Sequence, residues 1–155
     1  MKKIPFELHN EIYTPKDIGK VLSLAVNEKN FTGNNKGEKF LNVPVSFDIE
    51  TTSFYRDVDG ETYSYDRYMK LGGKDTKMEK CSLMYVWQFG INGFCIMGRT
   101  WDDFLKMLDD ICNLLELCSK KRVIIYVHNL AYEFQFFREL LQWEKVFSID
   151  LRKPI

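Results

Sequence analysis

Asp48 and Glu50 stand one residue apart in V-S-F-D-I-E-T-T-S, residues 45–53. A third acid, Glu133, stands in Y-V-H-N-L-A-Y-E-F-Q-F-F, residues 126–137. Side chains alternate along a strand, so Asp48 and Glu50 share one face while Phe47 and Ile49 take the other. Two like charges on one face repel and lose hydration unless a cation lies between them. A hard divalent cation with oxygen ligands, Mg²⁺ or Mn²⁺, fits that role. The plainer reading leaves both acids facing water on a half-exposed sheet. Glu133 lies one turn after Asn129, where a strand hands over to a helix. Sites collect at that edge of α/β sheets, although a carboxylate there also simply complements the helix dipole. His128, at the strand end, is either part of such a site or tied to backbone.

These residues need elements to hold them. Residues 43–50, V-P-V-S-F-D-I-E, read as a strand, and residues 81–90 and 93–99 as two more, joined by Ile91-Asn92-Gly93. Asp59-Gly60 between β-rich flanks signals a hairpin. Its D-x-D-G-E stretch lacks the later ligands of a calcium loop. Thr100, with Asp103 three residues on, opens a helix whose stripe is Trp101, Phe104, Leu105, Leu108, Ile111, Cys112 and Leu115. R-V-I-I-Y-V, residues 122–127, is a continuous apolar run and reads as a central buried strand. Asn129 then caps a helix with Leu130, Phe134, Phe137 and Leu141 on one face and Asn129, Glu133, Phe136 and Leu140 on another. Residues 146–151 give a last strand.

Upstream, Thr14-Pro15 starts a helix carrying Ile18, Val21, Leu22 and Ala25. Residues 31–39 read as a polar loop. Three strands in meander, a helix, a strand, a helix and a strand make an α/β domain with a mixed sheet.

The chain has 155 residues, 45% hydrophobic and 15% aromatic, which excludes a disordered chain and leaves room for one core. Twenty-two basic residues balance 22 acidic ones, so net charge names no partner. Cys81, Cys95, Cys112 and Cys118 lack zinc-site spacing and read as reduced, mostly buried thiols. The N-terminal M-K-K-I-P-F-E-L lacks the apolar stretch of a secretory leader, and no apolar run reaches membrane-spanning length, so the expected location is cytoplasmic.

The two acidic segments together resemble the first and second exonuclease motifs of family B DNA polymerases, most of all the protein-primed, phage-type branch. In that family the first motif is Asp-x-Glu in a strand, often followed by threonines, matched here by Asp48-Ile49-Glu50-Thr51-Thr52. The second is a strand, His-Asn-Leu, an aromatic and an acid, matched by Tyr126 through Glu133. Two strands and an amphipathic helix lie between, as in residues 81–117, and the likeness spans residues 44–151. It implies a ribonuclease H-like mixed sheet flanked by helices, with an inserted hairpin over about 53–80, and an N-terminal extension, 1–43, before a partial 3′–5′ exonuclease domain, 44–155.

It also implies a proofreading function in DNA replication: two-metal phosphodiester hydrolysis at single-stranded DNA 3′ ends. Asp48 would bridge both ions, Glu50 would hold the water-activating one, and Glu133 the other. Thr51 and Asn129 would bond the terminal nucleotide, Tyr132 and Phe136 would stack on terminal bases, and Tyr126 and His128 would flank the path. The partners implied are a polymerase domain in the same parent chain and a priming terminal protein, with no membrane, and the setting implied is the cytoplasm of a bacterial host or phage-infected cell.

The family usually has aspartate where Glu133 stands, and its third motif, Tyr-x-x-x-Asp, would lie beyond residue 155. The expected picture is therefore a fragment, nearly inactive alone. Two other readings stand beside it: a free-standing exonuclease, and a non-catalytic domain of the same fold.

Overall fold

The computed structural model describes residues 9 and 11–141; the strand expected at 146–151 lies outside them. In chain order the elements are β1 (Ile12–Tyr13), α1 (Ile18–Ala25), β2 (Phe31–Gly33), β3 (Lys39–Leu41), β4 (Val45–Arg56), β5 (Thr62–Tyr63) and α2 (Tyr65–Lys70). They continue with β6 (Glu79–Ile91), β7 (Phe94–Gly98), α3 (Trp101–Leu114), β8 (Lys121–Arg122), β9 (Tyr126–Val127) and α4 (Leu130–Phe137). The result is an α/β fold with a mixed sheet.

The main sheet runs β1-β7-β6-β4-β5, with β9 also paired to β4. Strands β4, β6 and β7 form an antiparallel meander, while β9 runs parallel to β4, with Ser46 opposite Tyr126 and Phe47 opposite Val127. A parallel neighbour requires a crossover. That crossover is α3, opened by Thr100, whose Oγ1 accepts the Asp103 N–H at 3.1 Å. The meander turn is Asn92-Gly93, with φ of 47° and 91°. Two consecutive positive φ values define the hairpin turn that matches strand twist, and Asn-Gly is the pair that adopts it most readily.

The burial of β4 follows its alternation: Val45, Phe47 and Ile49 are buried, while Ser46, Asp48 and Glu50 are exposed. Phe104 of α3 packs on Phe47 with ring centroids 4.6 Å apart, and on Trp87 at 5.2 Å. Helix α1 buries Ile18, Val21, Leu22 and Ala25 as its spacing predicts. It touches α3 and β7. Tyr13 and these α1 residues belong to one core with Phe47 and Trp87, so the segment preceding the exonuclease-like motifs is built into the same body.

Trp87 is fully enclosed, and its Nε1 donates to the Thr100 carbonyl at 2.8 Å. A Cβ added at Gly98, its cross-strand partner, would stand 2.2 Å from the indole ring. Gly98→Ala is therefore expected to cost about 1–3 kcal/mol, as overpacking does. A denaturant midpoint equal to that of the unaltered protein would show that the indole can move aside.

Between Glu50 and Thr51 the β4–β6 register shifts: Glu50 faces Val86 but Thr51 faces Met84, leaving Tyr85 as a bulge. The bulge lets Trp87 and Met84, an odd and an even residue, both reach the core. Beyond it β4 and β6 continue as an arm, closed by the expected hairpin. Asp57 accepts the Asp59 and Glu61 N–H groups there, and Gly60 has φ of 88°. Strand β4 thus runs six residues past Glu50, so the hairpin tip begins at Asp57. Helix α2, capped by Ser64, follows the tip; its Tyr68 stacks on Tyr55 at 3.7 Å.

Three expectations change. Residues 122–127 do not form a central buried strand. Lys121–Arg122 pair with β3 in a second sheet, β2-β3-β8, and only Tyr126–Val127 join β4. Ile124 and Ile125, between the two, are 48% and 40% exposed. The polar loop at 31–39 is instead the hairpin β2–β3, turned by Asn34, whose side chain accepts the Lys36 and Glu38 N–H groups. Among the cysteines, Cys112 and Cys118 are exposed. The buried stripe of α3 runs through Phe104, Met107 and Ile111, which turns Cys112 outward.

Candidate functional site

Strand β4 delivers Asp48 and Glu50 to the open face of the main sheet, as alternation requires. Opposite Asp48 in the register lies Gln88, whose Nε2 donates to Glu50 Oε1 at 3.4 Å. A shallow groove of about 340 Å³ runs along this face, lined by Ser46, Asp48, Gln88, Gly90 and Cys95 among others.

Helix α4 begins where β9 ends, beside β4. The Asn129 carbonyl accepts the Tyr132 and Glu133 N–H groups, each at 3.0 Å, although the Asn129 side chain makes no cap bond. Phe137 packs edge-on against Phe47 at 5.8 Å and fixes the rotation of the helix. Glu133, one turn earlier on the same side, is thereby carried inward and is only 2% exposed. The sequence pattern had set Glu133 on a face apart from Phe137; the two in fact share the buried one.

Glu133 is the buried charged residue of the described core, and its Oε2 has no hydrogen-bond partner. Burial pushes its carboxyl up to about 8, reinforced by the Asp48 carboxyl within hydrogen-bonding reach and by that group's charge; backbone hydrogen bonding at Asn129 pulls the other way. An unpaired acid in such a place is unfavourable as an anion and sheds its charge by holding a proton. Thus two of the three expected acids meet. Glu50 shares their strand face but turns to Gln88. Among the described residues no group of three or more His, Cys, Asp and Glu side chains is close enough to hold a metal ion.

The remaining expected residues divide. Thr51 Oγ1 and the Tyr132 hydroxyl, 81 positions apart in sequence, share a hydrogen bond of 2.6 Å. Tyr132 lies 5.3 Å from Phe136, which is half-buried against the core. Tyr126 is 65% exposed, and His128 and Asn129 are exposed beside it. Gln88 was not singled out in the sequence; only its cross-strand register to Asp48 marks it, and that depends on the meander.

The Thr51–Tyr132 bond ties β4 to α4 independently of the acids. A double-mutant cycle with Thr51→Val and Tyr132→Phe is expected to give a coupling of about 0.5–1.5 kcal/mol in urea unfolding. Additive effects would mean that the bond does not persist in solution.

The donor set suits a hard divalent cation: carboxylate oxygens, one of them buried and unpartnered, beside an open face. Among the described residues no helix is long and apolar enough to cross a membrane. No protein-family profile matches this sequence, and no curated protein is significantly similar to it.

Proposed function

We propose that this chain is the carboxylate-bearing part of a ribonuclease H-like 3′–5′ exonuclease domain, acting on single-stranded DNA ends as part of a DNA polymerase. The observation that carries the reading is the meeting of Asp48 and Glu133. They come from the two segments that resemble the exonuclease motifs, and nothing local in the sequence joins them. The element order supports it as well: the first-motif strand, two strands, an amphipathic helix, then the second-motif strand laid parallel beside the first.

Asp48, Glu50 and Glu133 would hold Mg²⁺ or Mn²⁺. Such ions supply a water activated at neutral pH and stabilise charge on the departing oxygen. The chain's own residues do the rest. Asp48 and Glu50 present oxygens on the open face, and Gln88 steadies Glu50. Glu133 holds a proton at its buried carboxyl and would have to release it to serve as a cation ligand. Thr51 and Tyr132 fix the spacing of strand and helix, and Tyr126, exposed at the rim, offers a ring for a base to stack on.

The test is release of nucleotides from 5′-labelled single-stranded DNA in Mn²⁺ by the full-length gene product. Asp48→Ala combined with Glu50→Ala is expected to abolish it, and unchanged release would overturn the assignment.

A second reading, a non-catalytic domain of the same fold, draws on the Thr51–Tyr132 bond, in which two groups expected to hold DNA are satisfied by each other. Calorimetric titration with Mn²⁺ of a protein extended through the third motif separates the two, since a degenerate site takes up no ion.

A further inference from the structure

The small sheet β2-β3-β8 collects positive charge in a chain whose net charge is zero. Residues 28–41 and 116–122 contain six cations, Lys29, Lys36, Lys39, Lys120, Lys121 and Arg122, against three acids, Glu28, Glu38 and Glu116. Two of those acids are engaged: Glu28 by Lys121 at 3.5 Å and Glu38 by Arg122 at 3.3 Å. Lys121 also lies over the Phe31 ring at 4.4 Å, and Arg122 over Phe40 at 6.0 Å.

The other four cations are exposed and make no ion pair with a described residue. One of them, Lys39, is held by its backbone beside two further lysines. The Lys39 N–H donates to the Lys120 carbonyl at 2.6 Å, and Lys39 stands directly opposite Lys121 in the parallel register. Like charges placed opposite each other in a sheet are destabilising. Glu28 offsets Lys121 in this pair, which leaves Lys39 as the cation open to an external anion.

We propose that this sheet is a phosphate-backbone contact for single-stranded nucleic acid, with Lys36, Lys39 and Lys120 as its principal cations. The two aromatic rings of the sheet are half-buried, and none of these segments contributes an exposed large apolar side chain. Exposed Ile124 and Ile125 follow just past β8, but the sheet itself offers charge without an exposed apolar side chain, which favours a nucleic acid over a membrane. It offers no ring for a base to stack on, so it holds the backbone without reading sequence. It is separate from the carboxylates, and β8 leads through residues 123–125 into β9. A strand held here would be anchored on the same chain segment that ends at His128.

The measurement is fluorescence anisotropy of a labelled oligothymidylate with the full chain across 20–200 mM salt. The Lys36→Ala/Lys39→Ala/Lys120→Ala variant is expected to bind roughly tenfold or more weakly. Its log-log salt slope should be shallower by about 2, since each phosphate contact on a single strand contributes about 0.7. The titration is run in EDTA without divalent cation, which keeps this contact distinct from the exonuclease reading. A triple variant with wild-type affinity and slope would overturn the proposal. So would tighter binding to phosphatidylserine vesicles than to the oligonucleotide. Lys74→Ala/Lys77→Ala/Lys80→Ala, three exposed lysines around the arm, serves as the charge-matched control and is expected to bind like wild type; an equal loss there would reduce the effect to net charge and also overturn it.

Discussion

Glu133→Gln is expected to make the protein more stable at alkaline pH and to leave it unchanged in acid. The Glu133 carboxyl is raised from an ordinary 4.5 to about 8, chiefly by burial and then by Asp48. Below about pH 4.5 the group is protonated in folded and unfolded chains alike and imposes no penalty. Between about 4.5 and 8 the folded chain holds a proton that the unfolded chain releases, so stability falls as pH rises. Above about 8 the folded state carries the full burden of a buried anion beside Asp48. Linkage over that window amounts to at most about 5 kcal/mol.

Glutamine has the same shape, cannot ionise, and can donate its amide hydrogen to Asp48. The melting temperature of the variant at pH 8.5 is expected to exceed wild type by roughly 5–10 °C, with the two curves merging near pH 5. Parallel curves at all pH values would show that Glu133 is not held neutral. Mn²⁺ provides the complementary measurement. Ion binding needs the ionised carboxylate and must expel its proton, so Mn²⁺ should stabilise wild type far more at pH 8 than at pH 6, and the variant little at either.

The other large effect falls on Asp48. Asp48→Asn in the full-length gene product is expected to lower 3′-end release by more than the roughly 10–100-fold that outer-shell changes around metal sites cause. Asparagine keeps the size and one oxygen but removes the charge that balances a divalent ion. It should also leave Glu133 closer to an ordinary carboxyl, because the Asp48 charge disappears while burial still holds the group up. Chemistry and titration thus report on the same pair. An Asp48→Asn protein with full release but a normalised Glu133 would make the pair structural. Loss of release with Glu133 unmoved would place Asp48 at the chemistry but away from Glu133.

The alternation V-S-F-D-I-E made the exposed placement of Asp48 and Glu50 legible, because a period of two needs no tertiary information. Thr100 with Asp103, and Asn92-Gly93, were legible for the same reason: each is a local bond or dihedral preference. What failed was non-local. Arg122 to Val127 is apolar enough to be one buried strand, yet Lys121 and Arg122 are claimed by β3 from the other side of the sequence. The three-residue strands β2 and β3 are shorter than any periodicity can reveal. The neutral state of Glu133 was hidden because the inward turn of α4 is set by Phe137 on Phe47, a contact between segments far apart in the chain. Met107 was missed because the α3 stripe is rotated from the one its most obvious apolar residues suggest.

The extra residue at Tyr85 has an architectural effect. On its near side Asp48 faces Gln88 and Glu50 faces Val86; on its far side the strands are paired in a new phase as far as Arg56 and Glu79. The bulge acts as an expansion joint. Residues can be added to or removed from the arm in cross-strand pairs, lengthening or shortening a lever that carries Tyr68 and Ser64, without shifting either carboxylate by a single step. The arm is free to vary in reach while the sheet floor beneath the acids stays fixed.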